Sequence, residues 1–406
     1  MSNAGNVSRP RVLIAAGGVY TAQSLIGGLT FLGLPAILRA ENVALDRIGL
    51  VSLAMLVWAV KFVWSPWTER LRILPDGRRR SRWIIVTGEV ATALLLICLG
   101  FAGTASFNTV LLLLVLMAVA SATVDIACDA YIIEQMSAGQ RGAGNVAQVG
   151  GGYLGLIFGS GLFVTATALW GWCVSCLLLA FVLLVMGLPM ALTPEVRRDA
   201  LPQTERPALK NALRRFDMRI GLCMAIVFEM AGRLAQSLSG PYLIDAGVPL
   251  SLLGMLNGIG GVVAGLAGAA FGGLIVHRQG APKAVLLIAM LHIATLCLVT
   301  AIVTLHVHYL PFVVGAFILE GALMAAGFVA IYSRLMDIVS TKQPGVDFTL
   351  FQSASAVAAA LFGYSGAMLA ARAGYSASFV MAVLLALLTP FLLRFLENRL
   401  RTGISS

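Results

Sequence analysis

Charge is scarce in this 406-residue chain: Asp, Glu, Lys and Arg make up 11% of it, against 59% apolar residues and a mean hydropathy of +0.92. A soluble domain carries about 25% charged residues. Histidine is rarer still, with four residues, none in a pair or Cys/His cluster spaced for zinc. No Gly-x-x-x-x-Gly-Lys-Ser/Thr loop is present to cradle a nucleotide, and no soluble segment is large enough for a catalytic domain, which argues against an ATPase, a hydrolase or any other enzyme. Work must then come from ion gradients, and neither a cofactor nor a bound metal is expected. The six cysteines lie in apolar stretches, where a thiol acts as a small hydrophobe. Cys173 and Cys176 have a redox-like spacing but no second pair beside them. No cleavable leader is expected either, because the first apolar run is about 27 residues long and lacks a small-residue cleavage site.

What the chain does have is long apolar runs. A helix rising about 1.5 Å per residue crosses about 30 Å of hydrocarbon in roughly 20 residues. Twelve stretches qualify, at about 12–38, 48–65, 83–103, 108–135, 144–167, 172–192, 218–243, 251–276, 284–305, 310–336, 347–371 and 376–397. They are numbered here as spans in that order. With the N-terminus inside, the cytoplasmic side receives Arg9, Arg11, the basic residues from Arg70 to Arg82, Arg141, those from Arg197 to Arg219, and then Arg278, Lys283, Arg334, Lys342, Arg394, Arg399 and Arg401. Only Arg39, Arg47 and Arg372 face the other side, while Lys61 and Arg233 lie within spans. The positive-inside rule therefore sets both termini in the cytoplasm. The same distribution directs the net charge of +10 to the lipid bilayer, not to nucleic acid.

Pro194, Pro202 and Pro207 punctuate a charged linker over 193–217, dividing the chain into bundles at 1–192 and 218–406. Six spans on either side of such a linker predict an all-α membrane protein of 12 transmembrane helices in two six-helix bundles, the architecture of major facilitator transporters, with substrate held between repeats near mid-membrane. The connection after span 2 carries Glu69, Arg70, Gly77, Arg78, Arg79 and Arg80, and the one after span 8 carries Gly273, His277, Arg278, Gly280 and Lys283. Both resemble that superfamily's acidic-Arg-x-Gly-Arg/Lys loop. Glu69 and Arg70 can serve as a structural ion pair or gate that latches two helices in one state, or as a topology-setting basic turn.

An ionisable side chain at mid-bilayer costs about 2.5–3.5 kcal/mol even on gentle scales, so each one in a span is a functional candidate. Asp125 and Asp129 stand four apart on span 4 and share a face. Lys61 on span 2 is their expected partner, in a structural ion pair or in transport itself. Glu89 on span 3 and Glu134 on span 4 add two more acids. On span 7, Glu229 and Arg233 are again four apart: the Arg fork suits an anionic substrate group, and the Glu can release it on protonation. Glu320 stands alone on span 10 as a proton carrier. Asp125, Asp129, Glu229 and Glu320 are thus the proton-coupling candidates. Tyr20, Gln23, Gln236, Asn257 and Gln352 join Arg233 as candidate substrate contacts, although polar helix packing uses such residues too. His306 and His308 fall at an outer turn and are read as interfacial, not as iron ligands. Glycine clusters at 17–18, 27–28, 150–152 and 258–273 permit close, sliding helix contacts.

Three segments resemble the AmpG-like permeases of the major facilitator superfamily: Trp58, Lys61, Phe62, Trp64, Ser65, Pro66, Glu69 and Arg70; Ser121, Ala122, Thr123, Asp125, Ile126, Ala127, Asp129 and Ala130; and Arg141, Gly142, Gly144, Asn145, Gln148, Gly150 and Gly151. The resemblance covers mainly spans 2 to 5 and implies that Lys61, Asp125 and Asp129 belong to shared machinery. The clan includes muropeptide permeases and siderophore permeases of the RhtX/FptX type. Gly152-Tyr153-Leu154-Gly155 stands where the muropeptide permeases carry a Tyr-Arg-Leu-Gly run, Val124 replaces a Gln, and the chain ends soon after span 12. The expectation is a proton-driven importer of a siderophore or its ferric complex, monomeric, in the bacterial inner membrane. Muropeptide uptake, drug or siderophore efflux and a transporter-like sensor are its rivals.

Overall fold

The computed structural model describes residues 8–40, 51, 55–74, 76–104, 106–195, 207–248 and 259–403, and nearly all of them are helical. Among the described residues the sole extended pairing is an isolated bridge between Ile73 and Arg79. Two compact units divide the chain. The first comprises Met1–Asn211 together with Val339–Thr349, and the second comprises Ala212–Ile338 together with Leu350–Ser406.

In the first unit, α1 (Arg9–Gly28) passes through a π-helical turn at Leu29–Gly33 into α2 (Leu34–Ala40). Then come α3 (Met55–Val60), a 3-10 turn at Lys61–Val63, α4 (Ser65–Arg72), α5 (Ser81–Ala102) and α6 (Phe107–Gln135). A second π turn at Ile157–Leu162 joins α7 (Arg141–Leu156) to α8 (Phe163–Trp170), and α9 (Trp172–Leu192) follows. The stretch expected as one span over 48–65 is thus broken at Lys61, while that over 144–167 bends at its π turn. The N-terminus of α5 is capped from a distance: the Ser81 and Arg82 amides donate to the Glu195 carboxylate at 3.2 and 3.1 Å. An acid there satisfies otherwise orphaned N–H groups and complements the helix dipole.

α1 packs along α7, α9 and α6, and α5 packs against α6 and α9. The α1/α7 contact is one of backbones. A Cβ on Gly155 would sit 2.3 Å from the Thr21 carbonyl, and one on Gly159 2.0 Å from that of Leu25. Leu25, Ile26, Leu29, Leu96, Leu114, Phe163 and Leu179 form the apolar core beside this seam.

The second unit contains α10 (Leu209–Arg214), then α11 (Phe216–Asp245), α12 (Gly261–Gln279), α13 (Ala281–Thr304), α14 (Leu310–Ile338) and α15 (Pro344–Gly403), the first residues of α10 and of α15 belonging to the first unit. Gly374, at φ 83° and ψ 166°, breaks α15 into two rods, because that left-handed backbone cannot continue a helix. α14 packs on α13, α11 and α12. Its contacts with α13 and α11 repeat those of α6 with α5 and α1. The core of this unit gathers Leu238, Leu296, Val299, Phe317 and Phe379 around Tyr242, whose ring stacks on Phe317 at 5.6 Å between centroids.

Among the described residues nine helices are long and apolar enough to cross a membrane. Their outer faces expose Phe101, Phe181, Leu188 and Phe391, side chains that a water-soluble protein would bury and that lipid tails accommodate. Much of the linker, Asn257 and the connection carrying Arg47 lie outside the described residues.

Close approach at the α1/α7 seam has a measurable consequence. Gly159→Ala is expected to destabilise the protein by about 1–3 kcal/mol, the usual cost of overpacking. Gly161→Ala, whose added methyl meets nothing within 4 Å, is expected to melt like the parent. Thermal melting of the purified proteins in detergent distinguishes the two.

Candidate functional site

The i, i+4 spacing on α6 turns Asp125 and Asp129 to the same side, and both are buried. They are held by different partners. Lys61, on the 3-10 turn that interrupts its helix, forms a salt bridge with Asp125. Gln23 of α1, with its amide oriented to satisfy both ends, donates to Asp125 Oδ1 at 2.8 Å. Tyr20, three residues earlier on α1, donates its hydroxyl to Asp129 Oδ1 at 2.5 Å, and Gln148 Nε2 of α7 donates to the same oxygen at 3.0 Å. Trp64 Nε1 donates to Thr123 Oγ1 at 3.1 Å and ties the broken helix to α6 one turn away. The cluster gathers one cation, two acids, a phenol and two amides from three helices and the 3-10 turn, a composition that can hold or pass a proton.

A second buried network lies at the end of α4. Arg72, fully buried, donates Nε to Glu69 Oε2 at 3.0 Å and Nη2 to Glu69 Oε1 at 2.7 Å. It also donates Nη1 to Glu134 Oε2 at 2.7 Å and to the Ser81 hydroxyl at 3.2 Å. Arg79 Nε reaches Glu134 Oε1 at 3.1 Å. Glu69 lies past the apolar stretch; burial raises its carboxyl above the ordinary value, and the Arg72 guanidinium opposes that rise. A backbone hydrogen bond from Gly345 also reaches Glu69, and a Cβ at Gly345 would come within 2.5 Å of Glu69 Oε2. The segment Val339–Thr349 is therefore seated on this network. Arg70, expected beside Glu69 in the latch, points elsewhere: its Nε and Nη2 donate to the Pro207 carbonyl at 3.2 and 3.0 Å. The cation facing Glu69 is Arg72, since on a helix it is the i+3 neighbour and not the adjacent residue that shares a face.

In the second unit, Arg233 of α11 donates Nε to Glu229 Oε2 at 2.6 Å and Nη1 to Gln236 Oε1 at 2.7 Å. Its guanidinium lies 4.9 Å from the Phe328 ring centroid. Phe228 and Tyr332 flank that ring at 5.4 and 5.7 Å. Glu229 is buried and also hydrogen-bonds Ser355, whereas the Arg233 side chain remains 30% exposed. Nη2 takes part in none of these bonds, so the fork retains an edge for an anionic ligand. Glu320 does not stand alone: His292 of α13 places Nε2 3.2 Å from Glu320 Oε1, and both are buried. Gln352 is half-buried on α15, and Asn257 lies outside the described residues.

Gln148, Arg72 and His292 escaped the sequence-derived set of site residues. Gln148 sits in a quoted motif but carries no charge to draw notice. Arg72 reads as one more cytoplasmic basic residue. His292 was legible by the rule that singled out Glu320, a titratable group amid an apolar span.

A helical molecule with lipid-facing apolar flanks and ion pairs enclosed within its spans is a multi-pass membrane protein. A family model described as Major Facilitator Superfamily matches residues 13–309, and the chain belongs to that superfamily: it is a secondary transporter and not an enzyme. The anhydromuropeptide permease of Escherichia coli strain K12 is 29% identical over 347 residues, covering 83% of this chain and 70% of that one. A putative transporter, AmpG 4 of Rickettsia conorii, is 21% identical over 400 residues, covering 94% of this chain and 95% of its own. The crystal structure of the human organic anion transporter MFSD10 superposes with a TM-score of 0.74 at 16% identity, covering 95% of this chain and 99% of that one, and so shares its fold.

Removing one partner of a buried pair strands the other charge, at a cost of about 3–5 kcal/mol. Lys61→Met is expected to destabilise the protein by that order, and Lys61→Met with Asp125→Asn to regain most of the loss. Melting curves of the two single variants and the double variant check the coupling.

Proposed function

We propose that this chain imports bulky anionic solutes of the anhydromuropeptide type, drawn inward by protons through alternating access, with both termini in the cytoplasm. The observation that carries this reading is the first unit's buried cluster. Lys61, Asp125, Asp129 and Gln148 come from the segments that resemble AmpG-like permeases, and the named relative across 83% of the chain is an anhydromuropeptide permease. In the second unit, Arg233 anchors an acidic group of the solute with its remaining edge, and Phe328 beside it supplies an apolar face. Protonation of Glu229 frees Arg233 for that task, while Asp125, Asp129 and Glu320 are further positions at which a proton can travel with the solute. The seat of Gly345 on Glu69, which Arg72 holds in place, acts as the latch, closed in one state of the cycle and open in the other. The membrane potential contributes about 2.3 kcal/mol per charge per 100 mV, enough to accumulate solute against a gradient when one proton accompanies each molecule.

Uptake of a siderophore or its ferric complex is the second reading. Tyr153 favours it, standing where the muropeptide permeases carry an Arg in span 5, so one cationic contact for a sugar peptide is missing. On that reading iron is cargo within the chelate.

Cells expressing this chain as their sole permease for either class are presented with labelled anhydromuropeptide and with a panel of ferric siderophores, with and without an uncoupler. Uncoupler-sensitive muropeptide uptake is expected. Uptake of a chelate in its place assigns the carrier to siderophores, and uptake that ignores the uncoupler removes the proton. Arg233→Gln is expected to raise the half-saturating solute concentration about ten- to a hundredfold, the equivalent of one lost charge-assisted hydrogen bond of about 1.5–3 kcal/mol.

A further inference from the structure

We propose that His292 and Glu320 together form one proton-binding site in the second unit, opened and closed by entry of water into the small cavity beside them. This rests on the proton-driven reading above and assigns the proton to a pair that includes a residue outside the expected set. His292 lies on α13 and Glu320 on α14, with Nε2 and Oε1 3.2 Å apart. The imidazole lines a cavity bounded by Phe228, Ala231, Ile288, Met324, Gly327 and Thr389. The ring has little freedom to turn away, because Met324 and the Cα of Gly232 close in on it: a Cβ on Gly232 would sit 2.4 Å from Met324 Sδ and 3.2 Å from His292 Cε1.

The surroundings leave the pair dependent on itself. The residues of α11 and α15 that border the cavity, Phe228, Ala231, Ala386 and Thr389, carry no charge. The ionisable groups on α11 nearest to it, Glu229 and Arg233, bond each other. α12, which packs on both α13 and α14, has no titratable side chain before His277, at its cytoplasmic end. Beyond Glu320, the nearest charged group along α14 is Arg334, which is paired with Glu397 of α15.

One proton shared by an imidazole and a carboxyl gives a site of zero net charge, as a neutral pair or as an ion pair. Losing it leaves one unbalanced negative charge, and gaining a second leaves one positive charge. Either is costly in an apolar cavity and tolerable once water enters. The dry site therefore keeps its single proton, and the wet site exchanges it with whichever side the water came from. That is the behaviour a symporter needs from its coupling site: the proton is carried while the cavity is closed and released when it hydrates.

Two measurements test the assignment. Infrared titration of the full chain in lipid nanodiscs reads carboxyl protonation without any solute. Bands of the other buried acids are common to every spectrum, so the site is read by difference: one pH-dependent carboxyl component of the parent is expected to be missing in Glu320→Gln and displaced along the pH axis in His292→Gln. A band unchanged in both variants overturns the site, whatever the solute. In proteoliposomes containing a pH-sensitive dye, labelled anhydromuropeptide should acidify the lumen in the parent. Glu320→Gln, His292→Gln and the double variant should each lose at least tenfold of that proton movement while retaining solute exchange. Acidification at the parental rate in either single variant also overturns the pairing. If His292→Gln does not fold, His292→Asn takes its place, and Glu320→Asp should recover part of the proton movement. Absence of muropeptide-driven acidification in the parent, with the infrared band behaving as described, rejects the solute and leaves the proton site standing.

Discussion

An ionised side chain inside hydrocarbon must find its counter-group within the protein, and that requirement organises both units. Lys61 answers Asp125, Arg233 answers Glu229 and His292 answers Glu320, and past the apolar stretch the equally buried Arg72 answers Glu69 and Glu134. Three of these five contacts join different helices, so each fixes the rotation of one helix against its neighbour as well as cancelling a charge. Glu89 departs from the pattern: its Oε1 is buried without a hydrogen-bond partner among the described residues, and the carboxyl is packed onto the bare Cα of Gly187.

Glycine supplies what the ion pairs cannot. Lipid offers little hydrophobic drive for one helix to leave it for another, so close association relies on dispersion between backbones that approach without side chains between them. In the first unit Gly155 and Gly159 bring α7 onto α1, and the π turns at Leu29–Gly33 and Ile157–Leu162 lie against each other at the end of that seam. In the second, Gly268 and Gly272 bring α12 onto the carbonyls of Ala322 and Ala326 on α14. With few interlocking side chains along these seams, helices can shift without breaking a jigsaw of core residues, as a carrier that alternates its opening requires.

The two units divide their chemistry unequally. The first concentrates hydrogen-bonded acids around one lysine, with Tyr20 and Gln148 sharing a single oxygen of Asp129. The second keeps a guanidinium partly exposed against an aromatic ring and, apart from it, a buried imidazole–carboxyl pair. An exposed cation beside a ring suits recognition of an anion, and a buried titratable pair suits holding a proton. On the proposed function, recognition and coupling then sit on neighbouring faces of the same bundle.

Much of this was legible before any coordinates, because a bilayer imposes its rules locally. Apolar run length predicts helices, basic loops predict sidedness, and a carboxylate in an apolar run demands an explanation wherever the chain folds. The pairs on one helix, Glu229 with Arg233 above all, follow from a spacing of four. Contacts between helices do not. That Lys61 meets Asp125 while Asp129 turns to Tyr20 and Gln148 depends on the break at Lys61 and on how α1, α6 and α7 are rotated. That Arg72 reaches on to Glu134, and that His292 meets Glu320, depends on which side of each helix faces inward. The sequence by itself determined the helical membrane class and the positions of its costly charges, because those follow from the solvent and from local periodicity. Only the tertiary structure decided which charge answers which, because partners more than a turn apart in the chain are chosen by packing.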